Sequence, residues 1–530
     1  MKVFTFDTTL RDGTQGEGIS LSADDKVAIA QKLDELGIDY IEGGWPGSNP
    51  KDEAFFIRAR ELKLQHARLA AFGSTRLAKN SVQEDRSVRA LLRAGVPVIT
   101  IFGKTWDLHV RDALRITLEE NLKLISETVE YLKSFGKEVI FDAEHFFDGY
   151  AANPEFAMKT LETAKLAGAD ALCLCDTNGG TLPPRIGEIV KEVRNRFDGT
   201  IGIHTHNDSE LAVANALAAV REGADLVQGC LNGYGERCGN ANLASIIANL
   251  ELKMGYTTIG GESVKRLKSV CNFIAEVANV ALPNGQPFVG KSAFAHKGGV
   301  HVSAVLKDPV TYEHVPPGLV GNSRRVLVSD LAGRSNIEYK LRQYGLSDRF
   351  GNEARRNLLE LIKQMEHEGY DLESAEGTFE LLVRSALDPQ KHFFDVERYA
   401  VQTGKSGQAQ LLTTATVTLR SHDAQESATA SGNGPLHALN RCLRTCLRKL
   451  YPQIKDVRLI DYKVRLVDSR RGAGSGVRVL IEWADQDRKW TTVGISENLV
   501  EASWKALTDA MRLELFRMSQ QEHAVEVGTV

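Results

Sequence analysis

The sequence has no apolar run approaching the ~20 residues that a membrane-spanning helix needs. An acidic residue, Asp7, interrupts the N-terminal segment MKVFTFDTTLRDG before a signal-peptide core could form. Cysteine is scarce: seven residues, an odd number, scattered without the paired spacing of a disulfide framework. Neither sign of charge is in excess. The 65 Lys and Arg face 69 Asp and Glu, for a formal net charge of -4, whereas nucleic acid or an anionic membrane as main partner selects for a clear basic surplus. No G-x-G-x-x-G follows the first apolar run, where a dinucleotide-binding open sheet would carry it. These absences predict a cytoplasmic protein in a reducing compartment, with no nucleic-acid or membrane partner.

What is present is ordinary in bulk and patterned in detail. A chain of 530 residues exceeds one hydrophobic core, so two or three domains are expected. Up to about residue 255, short apolar runs alternate with amphipathic helical segments. The runs are Val3–Phe6, Tyr40–Glu42, Arg68–Phe72, Val98–Phe102, Val139–Phe141, Ala171–Leu174, Ile201–Ile203 and Leu226–Gln228. Helix boundaries are written in the sequence too: Ser22 with Asp25 reads as a capping box, Asn153-Pro154 as a helix start, and Gly37 and Gly168 as helix stops. Eight β-then-α units over ~250 residues predict an α/β fold of the TIM (β/α)8 barrel type.

Beyond the barrel the pattern changes. Residues 276–390 read as helical linker subdomains, which sets the barrel domain at 1–275. From 391 to 530 strand-like alternation at Gln408–Arg420, Val457–Val467, Gly476–Ala484 and Lys489–Ile495 mixes with helical patterns at Pro435–Leu450 and Leu499–Ser519. The similar helix entries at Gly432–Pro435 and Ser496–Asn498 suggest an internal β-β-α repeat in a C-terminal α/β domain. The glycine-bearing stretch Arg470–Gly476 reads as a flexible turn.

A TIM barrel carries its chemistry where strands run into βα-loops. The seventh run ends in His204-Thr-His206. Alternation along a strand puts both imidazoles on one side, and Asp12, after the first run, can add a hard oxygen. Two imidazoles and one carboxylate leave positions open for a substrate on a divalent metal. Arg11, beside Asp12, can stabilise a developing oxyanion; a rim salt bridge is its plainer role. Glu144, at the end of the fifth run, suits a base, with Asp142 as competitor. Thr177 offers a hydroxyl or merely caps a turn. Cys173 and Cys175 read as core, and Cys442 and Cys446, one helical turn apart, as a packed stripe. Cys238 is the one thiol close to the expected site.

Together, Asp7-Thr-Thr-Leu-Arg-Asp-Gly-Thr-Gln15, His204-Thr-His-Asn-Asp208 and Gly233-Tyr-Gly-Glu-Arg-Cys-Gly-Asn240 resemble the Claisen-condensing synthases of the DRE-TIM metallolyase superfamily, which includes 2-isopropylmalate, homocitrate and citramalate synthases. Within that family Glu42-Gly-Gly-Trp-Pro-Gly-Ser-Asn-Pro-Lys-Asp52, His296-Lys-Gly-Gly-Val-His301 and Tyr312–Asn322 are most similar to citramalate synthases, and the C-terminal part is similar to the family's regulatory domain. The resemblance implies condensation of acetyl-CoA with pyruvate on a divalent ion (Mg, Mn or Zn) held by Asp12, His204, His206 and Asn240. It implies Arg11 on the ketone oxygen, Thr177 on the acceptor carboxylate and Glu144 by the reacting centre. It further implies a homodimer, with His301 and Tyr312 reaching the partner's site, and isoleucine as effector of the C-terminal domain. Whether Glu144 or His301 is the base stays open. So do a 2-isopropylmalate synthase, with a bulkier acceptor, and a retro-Claisen acyl-CoA lyase.

Overall fold

The computed structural model describes residues 1–329, 331–405, 411–422, 424–454, 457–467, 475–486 and 488–527. Residues 408–410 of one expected strand and 470–474 of the glycine-bearing turn lie outside them. The chain divides into two units: 1–294 with 313–324, and 295–312 with 325–530.

In the first unit eight parallel strands close in sequence order into a barrel. They are β1 (Phe4–Asp7), β2 (Tyr40–Glu42), β3 (Arg68–Ser74), β4 (Val98–Lys104), β5 (Glu138–Glu144), β6 (Ala171–Asp176), β7 (Thr200–Thr205) and β8 (Leu226–Gly229). The TIM barrel read from the alternating runs is thus present. Parallel strands covered on both faces need near-continuous apolar sequence, and all six residues of β6 are buried. Phe6, Ala70, Val98, Ile140, Cys173 and Leu226 form a cluster of their own inside the ring, apart from the larger core between strands and helices. Full burial of a Phe, Val, Ile or Leu side chain such as Phe6, Val98, Ile140 and Leu226 contributes ~1.5–3 kcal/mol.

The helix ends follow the sequence signals. Ser22 Oγ accepts from the Asp25 amide at 3.2 Å and the Asp25 carboxylate accepts from the Ser22 amide at 2.8 Å. Gly37 stops that helix at φ 96°, a backbone conformation that only glycine enters cheaply. Several strands run further than the apolar runs alone indicate. β4 continues to Lys104 and β5 to Glu144, and the two residues are paired in register, so polar side chains stand on rigid strand rather than in loops.

The second unit opens with a short parallel pair, β9 (Ala295–His296) and β10 (Arg325–Val326). Its C-terminal part holds two antiparallel three-stranded sheets: β11 (Asp395–Gly404), β12 (Leu412–Ser421) and β13 (Ala424–Gly432), then β14 (Arg458–Leu466), β15 (Val477–Ala484) and β16 (Lys489–Ser496). A helix follows each sheet, Pro435–Leu450 and Leu499–Val527. The repeat is there, with three strands per half where two were expected. The alternation of β13 is blurred by small and polar residues, and that of β11 is broken by a bulge between Val396 and Arg398. Helix Pro435–Leu450 buries Leu439, Cys442, Leu443 and Cys446 against this core, the stripe expected of the two cysteines.

Candidate active site

β7 carries His204 and delivers His206 one step beyond its end, with the two Nε2 atoms 3.2 Å apart. Asp12 Oδ2 lies 3.4 Å from His204 Nε2 and 3.9 Å from His206 Nε2, and all three residues are buried. Asp12 is held there by the β1 loop. The Asp7 carboxylate accepts from the Thr9 amide at 3.0 Å and from the Leu231 amide at 3.2 Å, which ties the loops after β1 and β8 together. Burial raises the Asp7 carboxyl to about 6. Burial and the neighbouring His204 push His206 down to about 3, so its imidazole is neutral. At His204 burial works the other way from Asp12, and Asp12 wins, holding the imidazole above its ordinary value.

Asn240 joins this group through backbone pairing with His206. Its Nδ2 donates to the Tyr234 carbonyl at 3.0 Å, while its Oδ1 is buried without a hydrogen-bond partner. Gly235, at φ 148°, permits this: a Cβ there would fall 2.3 Å from Asn240 Nδ2. Two imidazole nitrogens in near contact and a carboxylate make a donor set suited to a divalent cation, and the residues fit the ion the sequence motifs imply; the orphan oxygen of Asn240, backbone partner of His206, is a further donor of the right kind.

Arg11 lies alongside. Its Nε donates to Glu42 Oε2 at 2.6 Å, its Nη1 sits 3.1 Å from Asp12 Oδ2, and its guanidinium rests 3.7 Å over the Phe72 ring. Burial opposes its charge, but Asp12 and Glu42 outweigh burial and keep it firmly protonated. Glu42 is itself fully buried, and burial holds its carboxyl above the usual range.

Glu144, half-buried at the end of β5, is gripped by the Lys104 ammonium. The next residue, His145, sits at φ 55°, a strained backbone for a residue with a side chain. Its amide donates to Thr177 Oγ1 at 2.9 Å, which draws the ends of β5 and β6 together. That bond uses a lone pair of Thr177 and leaves its hydroxyl hydrogen to donate elsewhere.

Arg11, Asp12, Glu144, Thr177, His204 and His206 line one cavity of about 220 Å³. Part of its lining is aromatic: Trp45 meets Phe72 and Phe102 edge-on at 5.7 and 5.6 Å, and those two rings stack at 5.4 Å. His301 and Tyr312 belong to the second unit, where their rings stack on each other at 4.3 Å. Cys238 is exposed, and Cys175 lines the cavity from the barrel side.

Sequence reading missed two polar partners of these groups. Lys104 was one. The other is Gln228, on β8 opposite His204 in register, whose Oε1 lies 2.9 Å from His204 Nδ1 and whose Nε2 donates to Asp142 Oδ1 at 3.0 Å. Asp142, first weighed as a base beside Glu144, is fully buried. Burial, then the charge of Glu42, raises its carboxyl to about 7. The signal available was a polar residue closing an apolar run, as Gln228 does after Leu226-Val227.

A closed parallel barrel with a buried Asp-His-His group at the carboxyl ends of its strands defines a TIM-barrel enzyme built for a divalent ion. The HMGL-like family matches residues 2–273, a homocitrate synthase post-HMGL domain-like region 288–369, and the LeuA allosteric (dimerisation) domain 373–514. The chain is 54% identical to (R)-citramalate synthase of Aquifex aeolicus, covering 98% of this chain and 99% of that one. It is 52% identical to (R)-citramalate synthase of Geobacter sulfurreducens over 98% of each. Identity to a probable 2-isopropylmalate synthase of Methanopyrus kandleri falls to 32%, over 95% of this chain and 97% of that one. The chain belongs to the HMGL-like family and, within it, to the (R)-citramalate synthase family.

Proposed function

We propose that the chain condenses acetyl-CoA with pyruvate, hydrolyses the thioester and releases (R)-citramalate and CoA, a step toward isoleucine. The observation that carries this reading is the 54% identity to an (R)-citramalate synthase over nearly the whole of both chains. The aromatic lining of Trp45, Phe72 and Phe102 supports the small acceptor: three bulky rings in a cavity of about 220 Å³ leave room for the methyl of pyruvate more readily than for a branched side chain.

A divalent ion on Asp12, His204, His206 and Asn240 would polarise the acceptor's ketone and offset the charge that develops there. Arg11, locked by Glu42 and Asp12, supplies a second fixed positive charge for that oxygen. The Thr177 hydroxyl donates to the acceptor carboxylate. A base, Glu144 or His301, takes a proton from the acetyl methyl. The carbon left with the electron pair bonds to the ketone carbon, whose π pair moves to oxygen and is protonated. Water then attacks the thioester carbonyl, the C–S bond breaks and CoA leaves as the thiol.

In this reading the chain works as a homodimer in which His301 and Tyr312 complete the partner's site. Isoleucine regulates it through residues 391–530, within which most of the match to the LeuA allosteric (dimerisation) domain falls. A cytoplasmic location goes with it, and all seven cysteines are free; no helix among the described residues is long and apolar enough to cross a membrane.

The test is thiol release from acetyl-CoA with pyruvate, 2-oxobutyrate, 2-oxoisovalerate and 2-oxoglutarate. The expected outcome is the highest kcat/KM for pyruvate. Preference for 2-oxoisovalerate would make the enzyme a 2-isopropylmalate synthase instead.

A further inference from the structure

The two imidazoles of the Asp12–His204–His206 group are not equivalent. His206 Nδ1 is buried without a hydrogen-bond partner, and its ring is set by the strand and by backbone pairing with Asn240. His204 Nδ1 faces the side chain of Gln228 at 2.9 Å. Gln228 is fully buried on β8, directly opposite His204 in the strand register. An amide has one accepting and one donating end. The donating end of Gln228 is engaged by Asp142 Oδ1 at 3.0 Å, so the accepting Oε1 faces His204. Oxygen can only accept there, hence His204 Nδ1 must carry the hydrogen. With that hydrogen fixed, the lone pair of neutral His204 is on Nε2, the atom that faces Asp12 and His206.

We propose that Gln228, itself oriented by Asp142, is a positioning residue that fixes the His204 tautomer and ring so that Nε2 is the ligand atom. This rests on the divalent-ion reading of the site. A ligating histidine whose other nitrogen donates to a fixed acceptor is better aimed and more basic, and loss of such a partner typically lowers metal affinity ~10–100-fold. Of the ligand residues it is His204 that Gln228 meets, so its effect enters through one ligand of the set.

The experiment is equilibrium binding of Mn²⁺ and Zn²⁺ to the full-length chain, by competition with a chromophoric chelator, for the wild type, Gln228→Met and Gln228→Glu. Methionine fills a similar volume without an acceptor, whereas glutamate keeps one. Gln228→Met is expected to bind both ions ~10–100-fold more weakly, and Gln228→Glu to stay within a few-fold of the wild type. Wild-type affinity in Gln228→Met would overturn the proposal. An equal loss in both variants would also overturn it, because the side chain would then act by packing alone. If Gln228→Met does not melt cooperatively, Asp142→Ala gives the same readout: it leaves Gln228 in place but frees its amide to turn. A smaller loss in the same direction is expected, and unchanged affinity would remove Asp142 from the arrangement. A wild-type chain that binds neither ion, or binds them equally well after His204→Ala, would defeat the metal-site reading itself, which is a different failure.

Discussion

Lys104 and Glu144 are register partners across β4 and β5, and the ammonium of the first is bonded to the carboxylate of the second at the barrel mouth. Two strands therefore fix where the Glu144 carboxylate points.

The first prediction follows from that restraint. Lys104→Met leaves Glu144 in place but free to rotate. With Glu144 at the reacting centre, kcat is expected to fall on the order of tenfold or more, since misplacing a catalytic group costs rate before binding. KM for pyruvate should stay within a few-fold. Steady-state kinetics with both substrates separates the two, and an unchanged kcat would show that the pair only stiffens the rim.

Removal of divalent ions gives the second. Chelation is expected to abolish turnover, and Mn²⁺ or Mg²⁺ to restore it. A ligand that binds only the folded state at 100 times its Kd adds ~2.7 kcal/mol of stability, so the loaded wild type should melt at higher temperature than the stripped protein. Asp12→Asn should lose most of that increment in a calorimetric scan.

The aromatic wall supplies the third. Phe102→Ala removes one face of the stack and leaves the Phe72 ring, on which Arg11 rests, in the lining. One methylene of pocket space discriminates by ~10–200-fold. The ratio of kcat/KM for 2-oxobutyrate to that for pyruvate is expected to rise by about tenfold or more. An unaltered ratio would place the acceptor's side chain elsewhere in the cavity.

Asp142 sets a pH dependence. Burial, then the charge of Glu42, raises its folded pKa to about 7, well above the ordinary carboxylate range. The native state therefore holds this proton more tightly than the unfolded chain does. The associated stability is full below pH ~4 and is lost as pH rises toward 7, after which the buried charge costs its full amount. Asp142→Asn keeps an acceptor for Gln228 and removes the charge. Its urea midpoint should exceed that of the wild type by more at pH 8.5 than at pH 5.5. The reverse ordering would mean that Asp142 is ionised and well compensated in the fold.

The barrel was legible because its signals are local. Alternation along a single strand sets His204 and His206 on one side, and capping residues such as Ser22 mark helix ends. The main cavity residues, Arg11, Asp12, Glu144, Thr177, His204 and His206, could be gathered because each closes or follows an apolar run at the same end of the barrel. Their supports were not legible. Gln228 meets His204, and Lys104 meets Glu144, through register between strands, and register is decided by packing between distant segments. The aromatic wall is nonlocal in the same sense, drawing Trp45, Phe72 and Phe102 from three βα units. In the C-terminal part, β13 hid because a strand built largely of Ala, Ser and Thr does not alternate sharply in hydrophobicity, and β11 because a bulge between Val396 and Arg398 breaks its alternation.

The pairing of β1 with β8, locked by Asp7 across to Leu231, has a temporal consequence. Asp12 is made near the start of the barrel sequence, while His204, His206 and Asn240 are made near its end. A ribosome-bound chain that has delivered only the first six strands has Arg11 with its partners Glu42 and Phe72, but Asp12 without either imidazole. The reactive centre is thus located on the seam of the ring, and catalytic competence is among the last things the barrel acquires as it folds.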